Sequence, residues 1–205
     1  MGVNKRNSQL IILCGLAVCI NVVLGSIVTI TGVPLLFLDA LGTIFISINF
    51  NLMYGVMTGL CTNLVLTIFF GPLALPFALV NMTVAVVANL CTRNDTRLTY
   101  SKAILVGIAL ALVGSLVSGP IRLWLYGGFR GITPTLTNVL VVTLKASGLK
   151  LLNAAYWGAV SDSFFDKIIS CLIVFWLSRL PVIHKKVTFL NQKGRDYHEW
   201  TSQNR

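Results

Sequence analysis

The 205-residue chain has little charge and very little acid. Only 11% of its residues are charged, and 6 acidic residues stand against 16 basic ones. A soluble domain carries roughly 25% charged residues, so this chain has too few to cover a water-facing surface. Together with 56% hydrophobic residues and a mean hydropathy of +0.83, this composition excludes a soluble globular protein.

Residue types that serve catalysis and metal binding are also scarce. The chain has 2 histidines, and Glu199 is its single glutamate. Its 5 cysteines form no Cys-x-x-Cys pair and have no histidine at metal-binding spacing, which is typical of small apolar packing residues. No Gly-x-x-x-x-Gly-Lys-Ser/Thr phosphate loop occurs. We therefore expect neither an enzyme nor a bound cofactor or metal ion.

What the chain does have is long apolar runs. No charged residue lies between Arg6 and Asp39, or between Asp39 and Arg93. A membrane-spanning helix needs about 20 apolar residues, whereas barrel strands alternate over roughly 10 residues, so helices are favoured. Turn-like breaks at Asn49-Phe50-Asn51 and Gly71-Pro72 divide the longest run. The sequence predicts an all-α bundle of six transmembrane helices, at about 9–31, 36–49, 52–70, 74–91, 101–125 and 160–183.

Three details qualify these spans. The first span is too long for a signal-peptide core of roughly 7–15 residues, so we expect it to stay uncleaved. The second would cross only with help from flanking segments or a thinner bilayer. Residues 128–157 carry Lys145 and Lys150 within a moderately apolar stretch, which favours an outer loop with a surface helix.

The basic residues predict the orientation. Most of the 16 lysines and arginines fall on one predicted side, and the positive-inside rule places that side, with both termini, in the cytoplasm. Residues 184–205 are then a basic cytoplasmic tail, suited to an anionic inner leaflet. The placement of the charge thus indicates membrane topology, and we expect no nucleic-acid partner. The residues predicted inside are Lys5, Arg6, Arg93, Arg97, Lys102, Arg179, Lys185, Lys186, Lys193, Arg195 and Arg205.

Four ionisable residues fall toward the outer ends of predicted helices. Each costs about 2.5–3.5 kcal/mol at mid-bilayer, so each is a candidate for function. Asp39 could instead cap the second helix. Asp162 and Asp166 share a helix face, where two ionised carboxylates would repel each other unless a cation lies between them. Arg122, Arg130 or Lys167 could supply that charge, and the alternative to a functional site is then an internal salt-bridge network. Lys167 follows Asp166 directly and is expected on another face.

Aromatic residues are predicted at the same depth as these charges, a mixture that suits a small polar ring compound. They are Trp124, Tyr126, Tyr156, Trp157 and Phe165.

Small residues four apart mark faces where helices in lipid pack closely. Gly55 and Gly59 form such a pair on the third span, and Gly15 and Cys19 form one on the first. Packing inside the bundle explains most such pairs. The sharper interpretation, contact with another membrane protein, applies first to these two.

Several short motifs together resemble the substrate-binding membrane subunits (S components) of energy-coupling factor transporters, over about residues 9–183. The motifs are Asn21-Val-Val-Leu-Gly25, Val33-Pro34-Leu-Leu-Phe37-Leu-Asp39-Ala-Leu-Gly42-Thr43, Gly55-x-x-x-Gly59-x-x-x-Asn63-Leu64, Pro76-Phe-Ala-Leu-Val-Asn81, and Asp162-x-x-x-Asp166-Lys167-Ile168-Ile169-Ser170 through Leu180-Pro181.

The resemblance implies six helices in a bacterial plasma membrane and an outward pocket for a vitamin-like molecule. It also implies docking onto a membrane coupling protein driven by two ATP-hydrolysing subunits, in keeping with the missing phosphate loop. The family's docking face is usually a pair of alanines on the first helix, and Gly15 and Cys19 stand there instead. Family pockets lie at the outer ends of the helices, where this chain has Asp39, Asn63, Asn81, Arg122, Tyr126, Arg130, Trp157 and Asp162.

Two other function classes stay open. A stand-alone secondary carrier could use Asp39 or the Asp162/Asp166 pair as a proton relay, although no inverted repeat is visible. A sensory or scaffolding membrane module would bind a partner without uptake, although the short tail leaves no room for an output domain. The sign of the ligand's charge is also open, because arginines favour an anion and paired aspartates a cation.

Overall fold

The protein is described here by a computed structural model that covers residues 2–31, 36–93, 98–126 and 136–190. Most residues in these ranges are helical and none is in a strand, so the all-α prediction is confirmed. The helices are α1 (Gly2–Thr31), α2 (Leu41–Asn49), α3 (Leu52–Phe70), the 3-10 helix Pro72–Phe77, α4 (Ala78–Thr92), α5 (Tyr100–Tyr126), α6 (Leu136–Ala146), α7 (Leu151–Arg179) and α8 (Pro181–Leu190).

In the described ranges, four segments are long and apolar enough to cross a bilayer: Asn7–Thr31, Leu52–Phe70, Pro72–Thr92 and Tyr100–Tyr126. Helices α7 and α8 make a fifth if the pair is one span, although they are bent by 83° at their junction. Leu180 is extended there and Pro181 begins α8, and a proline cannot continue the backbone ladder of the preceding helix.

Two boundaries differ from the sequence prediction. Helix α7 begins at Leu151, where the sequence predicted a start near 160. The turn at Gly148, whose φ is +90°, ends before Leu151, and Ala154 and Ala155 are already buried in the bundle. Helix α2 has only 9 residues and rises about 14 Å, so it is too short to cross a bilayer alone.

Small residues let the helices approach closely. A Cβ atom on Gly107 of α5 would lie 2.8 Å from the Cα atom of Ile168 in α7, and one on Gly119 would lie 3.3 Å from the Cα atom of Tyr156. Because the later α5 residue meets the earlier α7 residue, these two helices are antiparallel. Gly42 of α2 packs in the same way against the backbone of Ala17 in α1.

Gly55 and Gly59 belong to this internal packing. A Cβ atom on Gly55 would collide with Ser47 of α2, and one on Gly59 would lie 2.9 Å from the backbone oxygen of Asn81 in α4. Both glycines are buried. The prediction that they form a docking face for another protein is therefore wrong, because neighbouring helices of the same chain already occupy that face.

The two halves of the bundle differ in character. Helix α2 lies in the apolar core, where Leu41 and Ile44 pack with residues of α4, α5 and α7 such as Val84, Leu110 and Val174. The far end of this half carries a group of basic residues, which are Arg93, Lys102, Arg179, Lys185 and Lys186. The other end, where α1, α3 and α5 finish, is the polar end, because its interior contains the charged residues Arg122, Asp162, Asp166 and Lys167.

Candidate functional site

A cavity of about 440 Å³ opens at the polar end of the bundle, a size within the usual range for small-molecule sites. Five of the eight residues that the sequence assigned to a ligand pocket line it together. These five are Asp39, Asn63, Asn81, Arg122 and Tyr126. The other lining residues are Gly25, Val28, Thr29, Phe37, Leu66, Phe70, Leu73, Ala74, Phe77, Val80, Val84, Gly114, Ser118, Ser163 and Lys167.

The other three predicted pocket residues stand differently. Trp157 is half exposed on α7 and packs edge-on against Tyr156, with 5.4 Å between ring centroids, so it does not line the cavity. Asp162 is fully buried, does not line the cavity, and pairs with the lining residue Arg122. Arg130 lies outside the described residues.

Two short ion pairs join cations that line the cavity to buried carboxylates. Arg122 donates from Nη1 to Oδ2 of Asp162 at 2.6 Å, and Lys167 donates from Nζ to Oδ2 of Asp166 at 2.6 Å. Both carboxylates are 0% exposed and both cations less than 10%. The second pair corrects the expectation that Lys167 lies on a different face from Asp166, because its long flexible stem carries Nζ back to the neighbouring carboxylate.

Asp39 is the carboxylate that faces the cavity. Its side chain is 29% exposed, and its Oδ1 atom lies 3.9 Å from Nζ of Lys167. The interpretation of Asp39 as the cap of α2 is wrong, because Ala40 is the N-cap residue and the first turn of α2 receives no hydrogen bond from an N-cap side chain. The first turn of α2 is held instead by Asn21 of α1, whose Oδ1 accepts from the Gly42 amide at 2.6 Å.

The segment that presents Asp39 is non-helical, yet it lies within the bundle. The amides of Phe37 and Leu38 donate to Oδ1 of Asp166 at 2.9 and 2.8 Å. Leu38 has a φ of 53°, a left-handed conformation that is uncommon for leucine. Asn81 donates from Nδ2 to the Asp39 carbonyl at 3.4 Å. Side chains from α4 and α7 therefore replace the hydrogen bonds that a helix would supply.

Two asparagines tie the other wall together. Asn81 of α4 donates from Nδ2 to Oδ1 of Asn63 in α3 at 2.7 Å, and Asn63 donates from Nδ2 to the carbonyl of Ala74 at 3.1 Å. Ala74 lies in the 3-10 helix Pro72–Phe77, which carries Leu73 and Phe77 to the cavity. The Asn63–Asn81 bond thus fixes three elements against each other.

Ser118 is a cavity residue that the sequence did not single out. Many other hydroxyls in these helices bond back to the carbonyl four residues earlier, as Thr58 does to Tyr54 and Ser115 to Ala111. In the described ranges the buried hydroxyl of Ser170 on α7 also lacks a partner, but it does not line the cavity. The Ser118 hydroxyl is buried and has no hydrogen-bond partner within the described ranges. Its position one turn before Arg122 on α5 is the one signal in the sequence that could have found it.

Asn21 is the second polar residue that the sequence understated, since it appeared only within a family motif. Its Nδ2 donates to the hydroxyls of Thr43 and Thr62 at 3.0 Å each, while its Oδ1 holds Gly42. It is fully buried and does not line the cavity. These bonds join α1, α2 and α3, and an amide in the middle of a long apolar helix is the signal for such a role.

The predicted docking pair on α1 lies on the outer surface. Gly15 and Cys19 are both exposed, and a Cβ atom on Gly15 would meet nothing within 4 Å. Large apolar side chains surround them on the same helix, which are Ile11, Ile12, Leu16, Ile20 and Val23. The pair therefore forms a shallow notch in an exposed apolar face.

In the described part of the chain, no three His, Cys, Asp or Glu side chains are grouped so that they could hold a metal ion. Comparison with protein-family models, with curated proteins and with solved structures gives no match for this chain.

Proposed function

We propose that this chain is the substrate-binding subunit of an energy-coupling factor type uptake transporter, which captures a small vitamin-like molecule. The observation that carries the proposal is the cavity that brings Asp39, Asn63, Asn81, Arg122 and Tyr126 together at one end of an apolar helical bundle. Charged and amide groups converge there within apolar walls, as in small-molecule sites.

The proposed topology has six crossings and both termini in the cytoplasm. Helices α1, α3, α4, α5 and α7 make five crossings, and residues 36–40 together with α2 make the other one. Non-helical backbone at membrane depth is tolerated where the protein satisfies it, which Asp166 and Asn21 do for this segment. The basic end of the bundle then faces the cytoplasm by the positive-inside rule, and the cavity faces outward.

Energy comes from partners in this proposal. The chain has no phosphate-binding loop, so ATP hydrolysis falls to two other subunits joined through a membrane coupling protein. The exposed notch at Gly15 and Cys19 supports α1 as the docking face, because small residues let a partner helix approach closely.

The test is co-expression of the tagged full chain with coupling proteins and ATPases of this transporter type. The wild-type chain is expected to co-purify with them and to retain a small molecule detectable by mass spectrometry. Gly15→Leu should abolish co-purification and keep the small molecule, because it fills the notch without touching the cavity. Leu105→Trp, which adds bulk to an exposed position of α5, is the control that should change neither result.

Failure of the wild-type chain both to co-purify and to retain a small molecule would contradict the proposal. Loss of the small molecule in Gly15→Leu would instead make Gly15 a folding residue and move the docking face elsewhere.

A second candidate is a stand-alone proton-coupled carrier. Asp39, Lys167 and Asp166 form a chain of ionisable groups that leads from the cavity to a buried carboxylate on α7. A proton relay has this arrangement. This candidate predicts uptake by proteoliposomes that contain this chain alone, abolished when the proton gradient is collapsed. Uptake only in the presence of the coupling protein and its ATPases would exclude it.

A further inference from the structure

Among the described residues around the cavity, carboxylates outnumber cations. Among the described residues the cluster contains two cations, Arg122 and Lys167, and three carboxylates, Asp39, Asp162 and Asp166. Arg122 is paired with Asp162 at 2.6 Å and also lies over the ring of Phe37, with 5.8 Å from Cζ to the ring centroid. Lys167 is paired with Asp166 at 2.6 Å. Both cations are thus engaged by groups of the protein itself.

Asp39 is the carboxylate of this cluster that has no short ion pair among the described residues. Its nearest cation among the described residues is Nζ of Lys167, which lies 3.9 Å away, beyond hydrogen-bonding distance. The short hydrogen bond of that Nζ goes to Asp166 instead. Asp162 and Asp166 are fully buried, whereas the side chain of Asp39 is partly open to the cavity. A ligand in the cavity therefore meets one carboxylate that still lacks a close partner.

Ser118 provides an independent sign that the cavity is built for a ligand. Ser118 lines the cavity, and only 4% of the residue is exposed. Its hydroxyl has no hydrogen-bond partner in the described part of the chain. Buried polar groups are almost always paired in folded proteins, so an open one calls for a partner. Phe37, Phe70 and Phe77 add aromatic walls on which a ring can pack.

We propose that the captured molecule is a ring compound that carries a positively charged nitrogen, and that this nitrogen pairs with Asp39. This inference rests on the proposed capture function and names its substrate class. The cation meets Asp39, the ring packs against the phenylalanines, and a polar atom of the ligand bonds to the Ser118 hydroxyl. The amides of Asn63 and Asn81 are already tied to each other and hold the wall in place.

An anionic ligand fits the site less well. To bind a carboxylate or phosphate, Lys167 would have to leave Asp166, and this buried carboxylate would then lack its cation. Breaking one side of a buried pair is strongly unfavourable because the remaining charge is uncompensated. The ligand's own negative charge would also face Asp39.

The experiment measures binding of three matched probes to the full chain in lipid nanodiscs at neutral pH, by equilibrium dialysis. Tryptamine is the cation, 3-(indol-3-yl)propanamide the neutral analogue and 3-(indol-3-yl)propionate the anion. Tryptamine is expected to bind at least about tenfold tighter than either analogue. Asp39→Asn should remove that preference, and Ser115→Ala should keep it, because the Ser115 hydroxyl is bonded within its own helix and does not line the cavity.

Equal or tighter binding of the anion, or a preference that survives in Asp39→Asn, would overturn the cation assignment and leave small-molecule capture intact. If no probe binds, mass spectrometry of the compound extracted from the purified chain decides: a compound with a basic or quaternary nitrogen supports the assignment, and one without it overturns the assignment. If no probe binds and no compound is retained, both the assignment and the capture function are wrong.

Discussion

Two polar clusters inside this bundle differ in how completely their groups are hydrogen-bonded. The closed cluster is Asn21 with Thr43 and Thr62, in which the Asn21 side chain makes three hydrogen bonds and is sealed from the cavity. The open cluster is Asp39 with Ser118, in which a carboxylate lacks a close partner and a hydroxyl is unpaired within the described ranges. Asn21 and Ser118 are both buried, whereas the side chain of Asp39 is 29% exposed. A polar group that lines the cavity with incomplete hydrogen bonds is the one that we expect to meet a ligand.

The largest effect on stability is expected at Asp166, which holds Lys167 and the backbone segment that presents Asp39. Asp166→Ala would leave Lys167 buried without its short partner and would release the amides of Phe37 and Leu38. Loss of one member of a buried pair costs about 3–5 kcal/mol, so little folded protein should remain in the membrane fraction. Thermal unfolding of purified protein measures the loss. Asp166→Asn, which keeps an oxygen acceptor, should be less damaging, and wild-type stability of Asp166→Ala would refute the anchoring role.

The next effect tests the closed cluster. Asn21→Leu keeps the volume of the side chain but leaves the Gly42 amide without its acceptor, at a cost of about 1–3 kcal/mol. A lower unfolding temperature is expected, with unchanged tryptamine affinity in the folded fraction, because Asn21 does not reach the cavity. Weaker binding at unchanged stability would show that the two clusters are not separate.

A smaller difference separates two glycines that look alike in the sequence. Gly59→Ala places a methyl group 2.9 Å from the backbone oxygen of Asn81, and such overpacking costs about 1–3 kcal/mol. Gly15→Ala meets nothing within 4 Å, so its stability should be equal to or above that of the wild type. Thermal unfolding of the two variants side by side decides, and equal destabilisation would contradict the assignment of Gly15 to the open surface.

The smallest change in stability is expected for Ser118→Ala. Its hydroxyl has no partner in the described structure, so its removal should shift the free energy of unfolding by no more than about 0.5 kcal/mol. Binding should nevertheless weaken, because the ligand loses a hydrogen bond. Ser115→Ala, three residues earlier on α5, is the matched control for dialysis with tryptamine. Equal affinity of Ser118→Ala and Ser115→Ala would remove Ser118 from the site.

Apart from the start of α7, the sequence predicted the long helices well, since an apolar run of about 20 residues is a local property that needs no partner. The ends of α3 at Leu52 and Phe70 follow directly from Asn51 and Gly71. The pairing of Arg122 with Asp162 was also within reach, because few other charges are available in the bundle.

What the sequence missed depends on distant contacts. Phe37 and Asp166 are 129 positions apart, and nothing near residue 37 indicates that an extended segment will be held there inside the bundle. The stripe of Gly55 and Gly59 predicts close approach but does not say to what, so internal packing and docking look the same. Ser118 resembles other helical serines until its lack of a partner is seen in three dimensions.

The measurement that tests the account most directly is mass spectrometry of the small molecules released on denaturing the purified full-length chain. The wild type and Ser115→Ala should release the same nitrogen-bearing compound at close to one molecule per chain, and Asp39→Asn should release little or none. An unchanged yield of that compound from folded Asp39→Asn would contradict the claim that the open carboxylate of this cavity captures the ligand.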